Sequence, residues 1–206
     1  MYYSQQNEDK FIYENYLNYK NGFFIELGAM DGITFSNTLF FEKELNWNGM
    51  LIEPTIDQFE NLKFNRPNCL NFNYAISETD GEIDFLGNHA LGGILSKMSD
   101  HHRIGWGLDK LPSYKVKSKP FYKILEGTNI ERVDFFSIDV EGGELDVLKT
   151  FNWGIPVYLI LIEMDGSNEN KDESCRNILL RENFLLESKI GNNEIWINHN
   201  NKPPIK

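Results

Sequence analysis

Carboxylate side chains recur where the apolar runs of this sequence end. Glu26 lies in FFIEL, Glu53 follows GMLI, and Asp139 follows FFSI. Glu163 closes the most apolar run, VYLILIE, and Asp165 stands two residues further on. Carboxylates at such positions can accept ribose hydroxyls, attract a cation, remove a proton from a hydroxyl or bind a divalent metal. Because carboxylates that are buried without partners are costly, the recurrence predicts a polar site.

The apolar runs alternate with stretches of helical periodicity, which predicts the elements that would position these carboxylates. Helices are expected at about 8–19, 37–45, 144–151 and 172–183, with another opening at Pro54. Strands are expected at about 23–27, 50–53, 70–76, 82–86, 135–140 and 157–163, followed by a hairpin of 184–189 and 194–198. This order predicts an α/β, Rossmann-like fold: a mostly parallel central sheet, helices on both faces and a terminal antiparallel hairpin. Ligands of such sheets bind beyond the carboxyl ends of the strands.

Length and composition predict one globular domain over residues 1–206, with a frayed tail from about 198. The formal net charge of −11 disfavours nucleic acid and anionic membranes as partners. Two cysteines, Cys69 and Cys175, are too few for a disulfide scaffold. With no signal peptide and no apolar run long enough for a span, we expect a soluble, cytoplasmic protein with a small-molecule or glycan partner. The oligomeric state stays open.

The loop after the first strand differs from a dinucleotide fingerprint. Gly28 is followed by Met30 and Ile33 where G-x-G-x-x-G would place glycines. The acidic Asp31 would repel a diphosphate and suits an ammonium group. Glu53, 25 residues after Gly28, is close to the spacing of about 20 for a ribose-binding carboxylate. Together these residues favour a nucleoside ligand with an amino-acid moiety, although a structural turn and a helix-start carboxylate remain open.

A long stretch, 87–123, shows no clear periodicity and is predicted to be an irregular, substrate-binding loop. Its aromatic, imidazole and guanidinium groups suit a polyhydroxyl ligand, although its aromatic residues could instead fill a small core of their own. Its lysines could be solvated or could meet the diphosphate of a nucleotide sugar; they are Lys110, Lys115, Lys117, Lys119 and Lys123. The candidate substrate-binding residues are His89, His101, Arg103, Trp106 and Tyr114.

Several motifs in order resemble those of the FkbM family of methyltransferases. They are Ser4-Gln5 with Glu8-Asp9, FFIELGAMDG, Phe35-Ser36-Asn37-Thr38, Trp47-Asn48-Gly49 with LIEP, NYAIS, and SIDVEGGELDVLK. The resemblance extends from about residue 4 to residue 165 and fades between 87 and 123. It implies a class I methyltransferase fold, S-adenosylmethionine as the methyl donor, and O-methylation, often of a sugar or polyketide hydroxyl.

Carried over by position, the resemblance also implies a cofactor site. Gln5 and Glu8 would close over the cofactor from an N-terminal helix within 1–20, and Ala75, Ile76 and Ser77 would flank the adenine. The residues expected to line the rest of the site are Glu26, Gly28, Asp31, Asn37, Thr38, Glu53 and Asp139.

The expected reaction is S-adenosylmethionine-dependent O-methylation of a hydroxyl on a sugar or glycan. A general base can accelerate such a transfer by roughly 10²–10⁴-fold; the candidates are Asp139 and Glu163, then His102. Asp139, Glu163 and Asp165 could instead bind Mg²⁺ or Mn²⁺. Two alternatives stay open: a nicotinamide-dependent oxidoreductase, and a non-catalytic binding module on a methyltransferase fold.

Overall fold

A computed structural model describes residues 1–203, and residues 204–206, the end of the tail predicted to fray, lie outside the described part. The strands are β1 (Phe23–Leu27), β2 (Asn48–Ile52), β3 (Leu70–Phe72), β4 (Ala75–Ile76), β5 (Gly81–Leu86), β6 (Gly93–Ile94), β7 (Tyr114–Lys119), β8 (Val133–Ile138), β9 (Val157–Glu163), β10 (Leu185–Ile190) and β11 (Asn193–Ile197). The helices are α1 (Glu8–Asn15), α2 (Leu39–Leu45), α3 (Ile56–Asn65), α4 (Asp100–Gly105), α5 (Phe121–Leu125), α6 (Glu144–Thr150) and α7 (Glu169–Arg181).

The central sheet has seven strands in the order β10-β11-β9-β8-β1-β2-β3. Strands β9, β8, β1, β2 and β3 pair in parallel, whereas β11 pairs antiparallel with both of its neighbours. The predicted α/β fold, with its mostly parallel sheet and terminal hairpin, is therefore confirmed. The carboxyl ends of β1, β2, β8 and β9 meet at one edge of the sheet.

Strand β8, at the centre of the seven-stranded sheet, is buried over all six residues because both faces of the sheet are covered. Phe135 contributes to one apolar layer and stacks edge-on against Phe41 of α2, whereas its neighbour Phe136 belongs to the opposite layer, beside Phe121 of α5. Continuous apolar runs are typical of parallel strands buried in this way, since successive side chains point to opposite faces.

The segment 87–123 is not an irregular loop, which corrects the sequence prediction. It contains β6, α4, β7 and the start of α5, together with short 3₁₀ turns. Strands β5 and β7 pair antiparallel in a second sheet of order β4-β7-β5-β6. The predicted strand 70–76 is likewise divided: β3 joins the central sheet and β4 joins the second sheet.

Both ends of the described chain are held by hydrogen bonds. Helix α1 ends at Asn15, four residues before the predicted end, and the segment preceding it pairs with the loop after β1 through a Ser4–Phe35 bridge. The predicted fraying does not begin at 198, because the Asn201 side chain donates to the Val157 carbonyl at 3.0 Å and the Arg132 guanidinium donates to the Asn201 carbonyl at 2.6 Å. No helix within residues 1–203 combines the length and apolar character needed to cross a membrane.

Candidate active site

A cavity of about 840 Å³ opens at the carboxyl edge of the central sheet. Its walls come from the residues that follow β1, β2, β8 and β9, from the second sheet with α4, and from the segment before α1. Most of the sequence-predicted residues line this cavity. They are Gln5, Glu8, Glu26, Gly28, Asn37, Glu53, Ala75, Ile76, His89, His101, His102, Trp106, Asp139, Glu163 and Asp165.

Gly28 is required by a close approach between two strands. Its φ is +74°, and a Cβ atom on this residue would lie 2.0 Å from the carbonyl oxygen of Asp139. Only glycine satisfies both conditions, because the left-handed conformation is costly for other residues and the carbonyl leaves no room. The space beside the Gly28 Cα is therefore occupied by the backbone of Asp139.

The Glu26 carboxylate organises the loop that follows β1. It accepts hydrogen bonds from the Ser36 hydroxyl at 2.8 Å, the Asn37 backbone N–H at 2.7 Å and the Thr38 hydroxyl at 2.5 Å. Burial raises the pKa of Glu26, while the nearby Arg66 charge and these hydrogen bonds oppose the rise. Thr38 was predicted to line the cofactor site, but it is fully buried and lies behind Glu26.

Arg66, at the end of α3, holds this loop in place through an ion pair and hydrogen bonds. Its side chain is fully buried. The guanidinium pairs with Glu42 and donates to the Gly32 carbonyl at 3.0 Å and to the hydroxyls of Ser36 and Thr38, both at 3.3 Å. These are the two hydroxyls that donate to Glu26, so the network orients the wall of the cavity. Arg66 was not among the predicted site residues, because nothing in its local sequence marks it as buried.

Glu53 lies at the end of β2 and is held on both oxygens. Oε2 accepts from the Met30 backbone N–H at 3.0 Å, and Oε1 accepts from the backbone N–H and the hydroxyl of Thr55 at 2.8 and 2.6 Å. Burial raises the pKa of Glu53, and these hydrogen bonds act in the opposite direction. Oε2 keeps lone-pair capacity for a ligand hydroxyl, since a carboxylate oxygen can accept two hydrogen bonds.

Two other predicted cofactor residues lie outside the cavity lining. Asp31 folds the loop after β1, because its carboxylate accepts from the backbone of Ile33 and from the backbone and hydroxyl of Thr34. The Ser77 hydroxyl accepts from the Thr79 backbone N–H at 2.9 Å and closes the turn after β4. The apolar wall beside Ala75 and Ile76 is instead completed by Pro54, Tyr74, Phe85 and Ile94.

Three carboxylates meet where β8 and β9 end. One oxygen each of Asp139, Glu141 and Glu163 lies within 4.8 Å of the others. The surrounding cavity walls raise the pKa of all three side chains and their mutual repulsion adds to the rise, although Asp139 itself is solvent-exposed and Glu141 and Glu163 are half-buried. Such an arrangement can share protons or hold a divalent cation. Asp165, a predicted metal ligand, is not in this group; its carboxylate accepts from the Ser167 backbone at 3.0 Å.

Glu141 was not among the predicted site residues, although it belongs to the SIDVEGGE motif. Its φ is +51°, which is uncommon for a residue other than glycine or asparagine. In the described chain, the positive-φ residues of other types are Met30, Phe35, His89 and Glu141, and all four line the cavity. Backbone conformations of this kind concentrate at functional sites, where the surrounding structure holds them in place.

The loop carrying Glu141 is fixed by Glu144 and Lys171. Glu144 Oε1 accepts from the Val140 and Gly142 backbone N–H groups at 3.3 and 3.0 Å, and Glu144 Oε2 pairs with Lys171 Nζ at 2.6 Å. Gly142 fits against the segment between β6 and α4, since a Cβ there would lie 2.6 Å from the Lys97 carbonyl oxygen. This segment therefore supports the acidic end of the cavity.

His102 is already engaged at both ring nitrogens. Nδ1 lies 3.2 Å from the Glu141 carboxylate, and Nε2 lies 3.3 Å from the Leu91 carbonyl oxygen. To accept a proton from a substrate hydroxyl, His102 would have to give up one of these contacts. The geometry therefore favours Asp139 and Glu163, for which the described residues provide no hydrogen-bond donor, over His102 as the base.

The predicted substrate residues separate into three groups. His101 and Trp106 line the cavity near its mouth, and the Trp106 side chain is 63% exposed. His89 also lines the cavity, but its ring contacts Gln58 of α3, on the same side as Glu53. Arg103 and Tyr114 do not line it: Arg103 pairs with Asp100, and the Tyr114 hydroxyl donates to the Gly87 carbonyl at 2.7 Å.

The lysines of this region lie on the second sheet and its flanks, outside the cavity lining. Lys115 pairs with Asp84 at 3.0 Å and Lys123 with Asp80 at 2.8 Å, and Lys119 Nζ lies 4.5 Å from the ring centre of Tyr74. The structure therefore does not support a contact between these lysines and a substrate diphosphate in the cavity.

Comparisons with known proteins identify relatives of this arrangement. The sequence model of the methyltransferase FkbM domain matches residues 26–188. A crystal structure of the methyltransferase FkbM from Methylobacillus flagellatus KT has a TM-score of 0.56 at 13% identity, covering 94% of this chain and 48% of that one. This chain thus spans about half the length of that structure. No curated protein matches the chain.

Two other solved structures are more distant. A TehB-like SAM-dependent methyltransferase from Corynebacterium glutamicum has a TM-score of 0.46 at 9% identity, covering 93% of this chain and 87% of that one. Fibrillarin from Aeropyrum pernix, solved with natively bound S-adenosyl-L-methionine, has a TM-score of 0.46 at 10% identity, covering 87% and 66%.

Proposed function

Because the chain belongs to the FkbM methyltransferase family, we propose that it transfers the methyl group of S-adenosylmethionine to a hydroxyl of a sugar or glycan. The observation that carries this proposal is the cavity at the carboxyl edge of the sheet. Three adjacent strands, β2, β1 and β8, each bring a carboxylate to it: Glu53, Glu26 and Asp139.

The residues on the β1 and β2 side fit an S-adenosylmethionine molecule. Glu53 retains acceptor capacity for ribose hydroxyls, and the apolar wall around Ala75 and Ile76 suits an adenine ring. Gln5 and Asn37 offer polar groups near the loop after β1, where an amino-acid moiety would lie. When bound, S-adenosylmethionine supplies a methyl group attached to a positively charged sulfur.

The residues on the β8 and β9 side suit an acceptor hydroxyl. Glu53 and Asp139 follow β2 and β8, the two strands that flank β1. Because neighbouring strands lie about 4.8 Å apart, the two carboxylates are separated by roughly 10 Å. We propose that Asp139 or Glu163 accepts the hydroxyl proton; their raised pKa values favour a base that works near neutral pH. His101 and Trp106 would hold the sugar at the mouth, through hydrogen bonds and stacking on the indole.

The family assignment and the cavity do not support the nicotinamide-dependent alternative. The loop after β1 lacks glycine at the second and third positions of the dinucleotide fingerprint, which are Met30 and Ile33, and the surrounding lining is acidic. A binding module without catalysis is the remaining alternative, and it predicts cofactor binding without turnover.

Calorimetric titration with S-adenosylmethionine and S-adenosylhomocysteine tests the proposal. We expect saturable binding, weakened about tenfold in Glu53→Gln, which is about 1.4 kcal/mol. Glu82→Gln, which changes an exposed carboxylate of β5 outside the cavity lining, should bind as tightly as the parent chain. Failure of both ligands to bind would overturn the proposal. Binding with no methyl transfer to any member of a glycan panel would favour the binding module.

The carboxylates at the ends of β8 and β9 are compatible with two mechanisms. A chelator distinguishes between them. Asp139, Glu141 and Glu163 could act through protons alone or through Mg²⁺ or Mn²⁺. Full activity in EDTA supports the proton mechanism. Loss of activity in EDTA that Mg²⁺ or Mn²⁺ restores supports the metal.

A further inference from the structure

The charged side chains that line the cavity are predominantly acidic. Among the described residues that form it, seven carry carboxylates, three are histidines, and none is lysine or arginine. The carboxylates are Glu8, Glu26, Glu53, Asp139, Glu141, Glu163 and Asp165.

The carboxylates on the β1 and β2 side of the cavity receive several hydrogen bonds, whereas those at the ends of β8 and β9 receive almost none. Glu26 and Glu53 each accept three hydrogen bonds. At the ends of β8 and β9, Glu141 has only the His102 contact, and Asp139 and Glu163 receive no hydrogen bond from residues 1–203. The cofactor, with a sulfonium, an ammonium and a carboxylate, brings one net positive charge, which leaves the acceptor side negative.

The lysines behind this side do not cancel the excess. Lys171 is engaged by Glu144 at 2.6 Å and by Asp172 at 3.3 Å. Lys97 pairs with Asp146 at 2.7 Å. In the metal-free protein, an acceptor that enters the cavity therefore meets a negative potential once the three carboxylates at the ends of β8 and β9 are ionised, and the low-dielectric walls of a cleft strengthen such a potential.

We propose, on the premise of the function proposed above, that the acceptor is a sugar whose reacting portion is uncharged or carries a protonated amine. Sugar phosphates and nucleotide sugars are excluded by repulsion. The Trp106 indole fits this acceptor class, since an exposed aromatic face packs against sugar C–H groups and attracts an ammonium group. The same reasoning gives the lysines of the second sheet no part in acceptor binding.

A first experiment measures the potential without knowledge of the acceptor. Two nitroxide probes of similar shape, cationic 4-amino-TEMPO and anionic 4-carboxy-TEMPO, are added in EDTA at pH 8, where ionisation of the raised-pKa carboxylates is under way, to the protein saturated with S-adenosylhomocysteine. Relaxation of the Trp106 indole proton is then compared. A potential of −1 kT would concentrate the cation about sevenfold over the anion. Equal or stronger relaxation by the anionic probe would overturn the proposal.

A charge-reversal variant and a matched control sharpen this comparison. Asp165→Lys places a positive charge at the cavity and should lower the cation-to-anion ratio severalfold. Asp109→Lys makes the same charge change at an exposed residue outside the lining and should leave the ratio near its original value. Equal effects of the two substitutions would show that net charge, and not the cavity, sets the ratio, which also counts against the proposal.

A second experiment uses four acceptors that share one ring: glucosamine, glucose, glucose 6-phosphate and UDP-glucose. Methyl transfer or competitive binding should favour the first two by at least tenfold. Preference for either phosphorylated compound would overturn the inference while leaving the methyltransferase function intact. Failure of S-adenosylhomocysteine to bind would instead remove the proposed function itself, so the two failures are distinguishable. The nitroxide comparison decides the electrostatic question even when none of the four sugars is an acceptor.

Discussion

Asp139 and Glu163 terminate adjacent parallel strands, β8 and β9, and this position distinguishes them from the other carboxylates of the cavity. Glu26 and Glu53 are held by hydroxyl and backbone donors, as expected for groups that position a ligand. Asp139 and Glu163 lack such donors within the described chain, as expected for groups that exchange protons. Hydrogen bonding at the level of single residues therefore separates the carboxylates into two groups that match the two proposed roles.

Replacing either candidate base tests this separation. We expect Asp139→Asn or Glu163→Gln to lower kcat by roughly 10²–10⁴-fold, because the hydroxyl proton loses its acceptor. The Kd of S-adenosylhomocysteine should change by less than about threefold. Steady-state kinetics and calorimetry measure the two effects. Asp165→Asn is the matched control, since its carboxylate lies outside the group of three; if it impairs kcat as severely, the assignment of the base is wrong.

Individual site residues could be predicted only where their position in the sequence determines their position in the fold. Glu26, Glu53 and Asp139 could be found because strand ends meet at one edge of the sheet. Thr38 could not be distinguished from a ligand-binding residue, because its burial behind Glu26 depends on the tertiary structure. Glu141 was overlooked because its unusual backbone conformation has no signal in the sequence.

At the scale of elements, β1 and β8 approach so closely that the loop after β1 contacts the backbone at the end of β8. Gly28 makes this contact, and Arg66 of α3 holds the rest of the loop through Ser36 and Thr38. The loop is thus fixed by a strand on one side and a helix on the other.

Gly28→Ala tests the contact with β8. We expect a loss of several kcal/mol in the free energy of unfolding, because the left-handed backbone is strained and the new methyl overlaps the Asp139 carbonyl. Gly127→Ala is the matched control: its φ is +81°, but nothing lies within 4 Å of an added Cβ. Urea denaturation should show a cost of about 1–2 kcal/mol for the control. Equal losses of stability in the two variants would show that backbone strain alone, and not the overlap with the Asp139 carbonyl, causes the effect.

Arg66→Met tests the helix side of the same loop. Removing the guanidinium leaves Glu42 without its cation and the Gly32 carbonyl without a donor, so we expect a loss of about 3–5 kcal/mol in unfolding free energy. Cofactor affinity should fall as Glu26 and Asn37 lose their fixed positions. Arg66→Lys, which keeps the charge, should recover part of the stability. Unchanged stability and affinity in Arg66→Met would contradict this description.

The predicted strands include β8 and β9, which are buried along almost their whole length, but not β7. In β7, YKVKSK, Val116 and Ser118 are buried while Lys115 and Lys117 are exposed. This alternation is typical of a strand with one covered face, but the lysines made the segment resemble a solvated loop.

At the scale of the whole molecule, the acidic side of the cavity couples stability to pH. Asp139, Glu141 and Glu163 have raised pKa values in the folded chain, so the folded state binds protons more tightly than the unfolded state. This contribution to stability is present at low pH and is lost as pH rises above the ordinary carboxyl range, through neutrality.

The free protein should therefore lose stability between about pH 6 and pH 9, and Glu141→Gln should flatten the decline by about 1–2 kcal/mol. Urea unfolding at both pH values measures the difference between the parent chain and the variant. Glu82→Gln serves as the exposed control. If the decline is as steep in Glu141→Gln as in the parent chain, the carboxylates do not cause it.

The mouth of the cavity joins the first residues of the chain to the last strands. Glu8 Oε1 accepts from the Asn193 side chain at 3.1 Å, Gln6 packs against Gly191, and Ser4 pairs with Phe35. During synthesis, Gln6 and Glu8 leave the ribosome well before the hairpin of β10 and β11, yet their contacts with Gly191 and Asn193 become available only after that hairpin has emerged. This part of the pocket consequently matures late, and a nascent chain stopped before residue 190 should hold most of its sheet without a finished binding site.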